Sequence, residues 1–296
     1  MDPRKGDIAK QYGPAEHMTG PFGRRLLEQC GLDRADGSTD IVLLDNATGT
    51  GLVLLHLYDL LPPAAQARLQ VVAGDIQPSM LTAVQERVEK NGWTSTRVQA
   101  VDAMKMDRPS DHFTHVISSF ALVVFPDPRA ALSEIRRVLR PHGLAGFTIW
   151  KSVGWFDVAR TAVERIPGAP RFPTFQEFSA SSAKAASPGA VRADCDQWIF
   201  PAFFEARIRE AGFEDVRTVV RENRTRYEDA EACVRVFAPL MNFSLASMWS
   251  AEERERVEGQ FRTALLEVVK ERFGEGEVGL DWEAYCVSAT VPATKS

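Results

Sequence analysis

Three carboxylates, Asp45, Asp75 and Asp102, each close a short apolar run, and a tight glycine loop follows the first. Leu43-Leu44-Asp45-Asn46-Ala47-Thr48-Gly49-Thr50-Gly51 reads as a strand end, a bend that lets a ligand reach the backbone, and the opening of a helix. The start of that helix offers unbonded N–H groups and a positive dipole end, which suit a carboxylate or a phosphate. Asp75 lies thirty residues on, in Gly74-Asp75-Ile76-Gln77-Pro78-Ser79-Met80-Leu81. A carboxylate there can accept from both hydroxyls of a ribose. Ile76 and Met80 offer apolar contact to a flat base, and Ser79 is placed to cap the next helix. Asp102, in Gln99-Ala100-Val101-Asp102-Ala103-Met104, can accept from an exocyclic amine. Each acid alone has a plain structural alternative as a cap or turn residue. Together they are ordered for an amino acid, a ribose and an adenine.

A dinucleotide is the alternative ligand. Its fingerprint asks for a third glycine three residues after the second, and this chain has Leu54 there. The acid before the loop also fits a cation better than a pyrophosphate.

These residues need strands and helices that deliver them to one edge. The pattern predicts strands at 41–45, 69–75, 97–101, 115–120 and 144–150. Helices are expected at about 51–61, 79–91 and 128–139, stopped by Pro62-Pro63, Gly92 and Pro141-His142-Gly143. Such alternation means βαβ units and a parallel sheet, with the loops after the strands along one edge. A helical lead-in spans 7–31, with Phe22, Leu26, Leu27 and Cys30 on one face and Gly31 as its stop. Residues 151–200, rich in aromatics and prolines with a low-complexity patch at 179–187, read as an irregular insertion. Then come a helix at 203–211, a strand at 213–220, helices over 228–273 and a last strand at 280–291, expected antiparallel. The fold class is therefore α/β and Rossmann-like, a seven-stranded, mostly parallel sheet with an antiparallel last strand and a helical cap.

Composition sets the outer bounds. The chain has 296 residues, 45% hydrophobic and 25% charged, with a net charge of −5. No basic excess exists to neutralise a nucleic-acid backbone. No apolar run reaches the length of a membrane span, and the N-terminus lacks a signal-like apolar stretch. Cys30, Cys195, Cys233 and Cys286 lie far apart, with no metal-ligand spacing, and read as buried reduced thiols of a cytoplasmic protein. No metal is expected.

The segments Leu44 to Gly51, Gly74 to Leu81 and Leu139-Arg140-Pro141-His142-Gly143 with Gly146 resemble class I S-adenosylmethionine-dependent methyltransferases. More closely, the chain resembles fungal secondary-metabolite methyltransferases of the gliotoxin thiol-methyltransferase type. Tyr12 with Thr19-Gly20, Asp45-Asn46-Ala47, Thr114-His115-Val116 and Phe125-Pro126-Asp127 carry that likeness. So do Ile166-Pro167-Gly168, Phe172-Pro173-Thr174 with Glu177-Phe178, and Gly212-Phe213 with Asp215-Val216. The resemblance implies S-adenosylmethionine held by Tyr12, Thr19, Asp45, Asn46, Ala47, Gly49, Gly51, Asp75, Ile76, Met80, Asp102, Ala103 and Phe120. The chain departs from the pattern at Thr48 and Thr50, where Cys and Ile are expected, and at Ala121-Leu122-Val123-Val124 near the methyl. The cofactor side carries over and the acceptor side does not.

One methyltransferase domain over 1–296 is expected: a roof at 1–40, a cofactor core at 41–150, and cap insertions at 151–200 and 228–273. Phe125, Trp150, Trp155 and Phe243, with Phe156 and Phe237, are candidate acceptor walls, since aromatic rings suit a flat, mostly apolar small molecule. Ser118-Ser119-Phe120-Ala121-Leu122, in place of an acidic or Asn-Pro motif, argues against methylation of adenine or glutamine nitrogen. His17 is the one histidine near the roof and the candidate base. Sulfur is favoured as acceptor by resemblance, with oxygen and nitrogen open. A nicotinamide oxidoreductase and a non-methylating binder on the same fold are the other classes. Oligomeric state is not legible.

Overall fold

The computed structural model describes residues 16–186, 194–245 and 249–294, and the side chains of 182–186 and 239–245 fall outside it. Its centre is a seven-stranded sheet in the order β3-β2-β1-β4-β5-β7-β6. The strands are β1 (Ile41–Asn46), β2 (Leu69–Asp75), β3 (Thr96–Ala100), β4 (Phe113–Ser119), β5 (Leu139–Ser152), β6 (Glu214–Tyr227) and β7 (Val278–Thr290). β1 to β5 pair in parallel, and β7 runs antiparallel between β5 and β6. All six residues of β1 are buried, as a central parallel strand requires.

Helices cover both faces. They are α1 (Glu16–Gln29), α2 (Leu52–Leu60), α3 (Pro63–Gln66), α4 (Pro78–Asn91), α5 (Pro128–Val138), α6 (Phe156–Glu164), α7 (Phe175–Ala186), α8 (Pro201–Glu210), α9 (Ala230–Leu245) and α10 (Ala251–Phe273). β7 shows the two-residue alternation that separates the layers. Trp282, Ala284 and Cys286 face the α1 side, whereas Val287 and Ala289 face α5 and α8. Phe22, Leu26 and Leu27 of α1 and Cys30 just beyond it are buried as expected, and Gly31 follows at φ 84°.

α1 contains Pro21, which cannot donate to the carbonyl four residues back. Asn223 Nδ2 on β6 donates to that carbonyl, His17 O, at 3.0 Å, and to Met18 O at 3.1 Å. At the other end Gln29 Nε2 donates to Cys286 O and Ser288 Oγ at 3.1 and 3.2 Å. A helix that propensity alone would weaken is thus fixed to the sheet by side-chain amides.

Four expectations need correction. Residues 151–200 are not irregular: α6 and α7 form there, because Phe156, Val158, Ala159, Ala162 and Val163 bury one helical face. Residues 187–193, the end of the low-complexity patch, lie outside the described residues. β6 runs seven residues past Val220, because β7 offers a matching ladder from Glu214 to Tyr227. β5 starts at Leu139, with the Pro141-His142-Gly143 turn absorbed as an irregularity opposite Phe113 and His115. Ser79 does not cap α4. Gln77 occupies the cap position and Pro78 opens the helix.

Candidate active site

Parallel pairing brings the ends of β1, β2, β3 and β4 to one edge, and the strand order reverses between β1 and β4. Ligand crevices in open α/β sheets form at such a reversal. Asp45, next to last in β1, has 1% of its surface exposed. Its Oδ2 accepts from Thr48 Oγ1 at 2.6 Å, while its Oδ1 is buried without a hydrogen-bond partner. Burial pushes the Asp45 carboxyl up to about 7, against the lowering effect of the Thr48 bond, and the nearby Asp75 charge pushes the same way as burial. A desolvated acid with a vacant acceptor is a costly arrangement unless a cation or donor completes it.

The loop above it is shaped by backbone requirements. Ala47 sits at φ 59° and Gly49 at φ 57°. A side chain at Gly49 would meet nothing within 4 Å, so the loop faces open space there. Gly51, at φ 79°, answers a different need: a Cβ would fall 2.6 Å from Val84 Cγ2, so this glycine lets α2 close against α4. Thr48 N donates to Gly74 O and Gly49 N to Asp75 Oδ2, at 2.9 and 3.0 Å, which binds the loop to the end of β2. Asp75 Oδ1 accepts from Gln77 N at 2.9 Å. Each of its oxygens holds one backbone donor and keeps a further lone pair. Beside it Ile76 is 61% exposed, an unusual setting for a large apolar residue, and Met80 is half-buried one turn on. Asp102 is half-buried, and its Oδ1 accepts from Met104 N at 2.9 Å; Ala103 is buried.

Phe120 follows β4 at φ 55°, a strained value for a bulky side chain. Its N–H donates to Thr148 Oγ1 at 2.8 Å, and Ser119 Oγ lies 3.0 Å from the same hydroxyl. The ring stacks on Trp150 at 4.1 Å and meets Phe22 edge-on at 5.8 Å. From Trp150 the ring contacts run on through Trp282, Phe237 and Tyr227 to His17.

The structure therefore gathers Asp45, Asn46, Ala47, Gly49, Asp75, Ile76, Met80, Asp102, Ala103 and Phe120 along one edge. Tyr12 lies outside the described residues, and Thr19 is half-buried on α1. Among the proposed walls, Trp150, Trp155, Phe156 and Phe237 join one apolar cluster on the α1 side. Phe125 does not join them: it packs in the cluster on the opposite face. Phe243 is in α9, and its side chain lies outside the described residues. His17 is exposed, and its Nε2 is 2.7 Å from Tyr227 Oη. Thr148, Tyr227, Glu16 and Arg87 carry no signal in the sequence, because each reaches the site from an element remote along the chain. A concavity of about 650 Å³ at the opposite edge of the sheet, lined by Asp40, Arg68, His115 and Arg140, is separate from all of this.

These residues suit S-adenosylmethionine. The vacant Asp45 oxygen, the open space over Gly49 and the exposed Ile76 beside Asp75 match a cationic amino acid, a close-lying backbone contact and an apolar base. The group fits.

Residues 43–143 match the family model described as a methyltransferase domain. The chain is 27% identical over 271 residues to the acetylaranotin bis-thiomethyltransferase of Aspergillus terreus, covering 92% of this chain and 89% of that one. It is 26% identical over 271 residues to methyltransferase tpcH of Aspergillus fumigatus, covering 90% of each. A solved putative methyltransferase from Bacillus halodurans superposes with a TM-score of 0.52 at 18% identity, covering 90% of this chain and 97% of that one.

Proposed function

We propose that this chain, a class I S-adenosylmethionine-dependent methyltransferase, moves the methyl group onto a sulfur of a flat, mostly apolar secondary metabolite. S-adenosylmethionine is its cofactor, and when bound it supplies an electrophilic methyl group on a sulfonium. The observation that carries the acceptor reading is the stack of Phe120 on Trp150 at the end of β4, with Phe22 edge-on to both rings. That wall is apolar and offers a face to a planar acceptor.

In this reading Asp45 holds the amino-acid end, Asp75 accepts from the ribose hydroxyls, Ile76 and Met80 flank the base, and Asp102 accepts from its amine. The loop N–H groups at the start of α2 face the carboxylate, since Gly51 caps that helix without a side-chain bond. The protein's part is positioning and exclusion of water, which can lower a barrier by roughly 7–11 kcal/mol. A thiol reacts as its thiolate, so it needs little help from a base. That suits a site whose candidate base, His17, is exposed and already bonded to Tyr227. The name of the Aspergillus terreus relative, a bis-thiomethyltransferase, supports the same choice.

α6, α7, α9 and α10, from the 151–200 and 228–273 segments, serve as the cap over this wall. Four free, buried cysteines fit a reducing, cytoplasmic setting. No helix among the described residues is long and apolar enough to cross a membrane.

The test is transfer from methyl-labelled S-adenosylmethionine to three acceptor sets of matched size: aryl and alkyl thiols, phenols, and amines. Label on the thiols in clear excess supports the reading. Label on phenols or amines, with none on thiols, refutes the sulfur assignment and leaves methyl transfer standing.

A further inference from the structure

The cofactor residues leave one charged cluster beside the glycine loop unused. Glu16, at the first turn of α1, accepts from Thr50 Oγ1 at 2.5 Å. The same carboxylate accepts from Arg87 Nη2 on α4, at 2.7 Å to one oxygen and 2.9 Å to the other. Both charged side chains are more than three-quarters buried, at 22% and 23% exposed. Arg87 Nη1 is buried with no partner, so Glu16 is the anion that holds this guanidinium in place among the described residues.

We propose that Glu16 is a positioning residue, a latch that ties α1 to the glycine loop and to α4 and so couples cofactor seating to the set of the aromatic wall. This rests on the cofactor reading given above. Three segments that frame the crevice meet at this one carboxylate. Thr50 lies between the two glycines of the loop, and Arg87 runs along Gly51, where its Cδ would lie 3.6 Å from an added Cβ. α1 links the latch to the wall across Pro21, where Asn223 holds the carbonyls of His17 and Met18 in place of the missing helical bond. Phe22 is six residues beyond Glu16, about 9 Å along the axis, and it touches both Phe120 and Trp150. Apolar packing of Gly20 and Gly23 on Leu52 and Val53 holds the middle of the helix, and Gln29 holds its far end. The latch is what fixes the near end to the loop. The hydroxyl at position 50 makes the bond: an apolar side chain there has nothing to donate.

The charge-assisted bond from Thr50 is worth about tenfold in whatever equilibrium it biases. Calorimetry with S-adenosylhomocysteine and thermal unfolding are measured on the whole chain. Thr50→Val is expected to weaken binding by up to about tenfold while lowering Tm by only a few degrees, and Thr50→Ser to bind as the parent does. Glu16→Gln is expected to weaken binding as well, and the Glu16→Gln/Thr50→Val double variant to lose no more than the worse single variant. Parent-like binding by Thr50→Val, additive losses in the double variant, or a Ser variant as weak as the Val variant overturns the latch. If Glu16→Gln does not fold, the Thr50 pair decides alone. Failure of the parent chain to bind S-adenosylhomocysteine is a different result, and it removes the cofactor reading itself.

Discussion

With Asp45 on the amino-acid end of the cofactor, as proposed, affinity should depend on pH in a calculable way. Burial raises its carboxyl to about 7 in the ligand-free chain. A bound ammonium favours the ionised form, so binding must expel the proton wherever Asp45 still carries one. With a pKa of about 7, the ionised fraction is about 0.09 at pH 6 and about 0.91 at pH 8. Affinity for S-adenosylhomocysteine should therefore rise about tenfold between pH 6 and pH 8, or about 1.4 kcal/mol. Calorimetry at pH 7 in buffers of different ionisation heat should report release of about half a proton per site. Folding stability moves the opposite way. The native carboxyl binds a proton more readily than its ordinary value of 3.8 allows, so the native state holds more protons than the unfolded chain between those limits. The ligand-free protein should lose stability as pH rises from about 4 to about 7, and the cofactor should restore it more fully at pH 8 than at pH 6. Asp45→Asn keeps the shape and removes the titration. Its affinity should stay flat near the parent's acid limit. A parent curve as flat as that of Asp45→Asn, with no proton released, would refute the placement of a cation on the vacant Asp45 oxygen.

Other variants test separate parts of the site. Asp75→Ala removes the acceptor offered to two hydroxyls and the anchor of Gly49 N, and S-adenosylhomocysteine binding should fall by about tenfold or more; unchanged binding would remove the ribose assignment. Trp150→Ala takes away a half-buried stacking partner of Phe120 and should cost about 2–3 kcal/mol of stability, short of the full-burial range. It should also raise the acceptor KM more than the cofactor Kd, which steady-state kinetics with the labelled thiol would show. Asp127 caps α5, accepting from Arg129 N and Ala130 N at 2.9 and 3.1 Å, and Asp127→Ala should cost about 1 kcal/mol in urea unfolding while cofactor binding stays the same.

Much of the architecture could be read from the chain because its signals are local. Ile41 to Asp45 is apolar without a break, so a doubly buried strand followed, and β1 is buried along its whole length. Gly31 and Gly92 mark the ends of α1 and α4 through left-handed backbone values that other residues adopt at a cost. Where the reading failed, the deciding energy was not local. β6 carries Arg221, Asn223, Arg224 and Arg226, which look like the end of a strand, yet β7 supplies partners for all of them. The segment at 151–200 looked irregular through its prolines and aromatics. Its helices form because Phe156, Phe172, Phe175 and Phe178 bury their rings against one another.

The site divides along the same line. Asp45, Gly49 and Asp75 announce themselves because strand ends and tight loops have their own residue grammar, and topology then brings them together without further instruction. Phe125 and Trp150 are equally aromatic in sequence, but strand alternation in β5 sets the face of Trp150, and the short helical turn at 122–124 after β4 puts Phe125 on the far side. Glu16 and Arg87 are seventy-one residues apart and Glu16 and Thr50 thirty-four apart, so no spacing rule joins them. The carboxylate that accepts from the Thr50 hydroxyl and the Arg87 guanidinium at once is in place only after three segments have folded against one another.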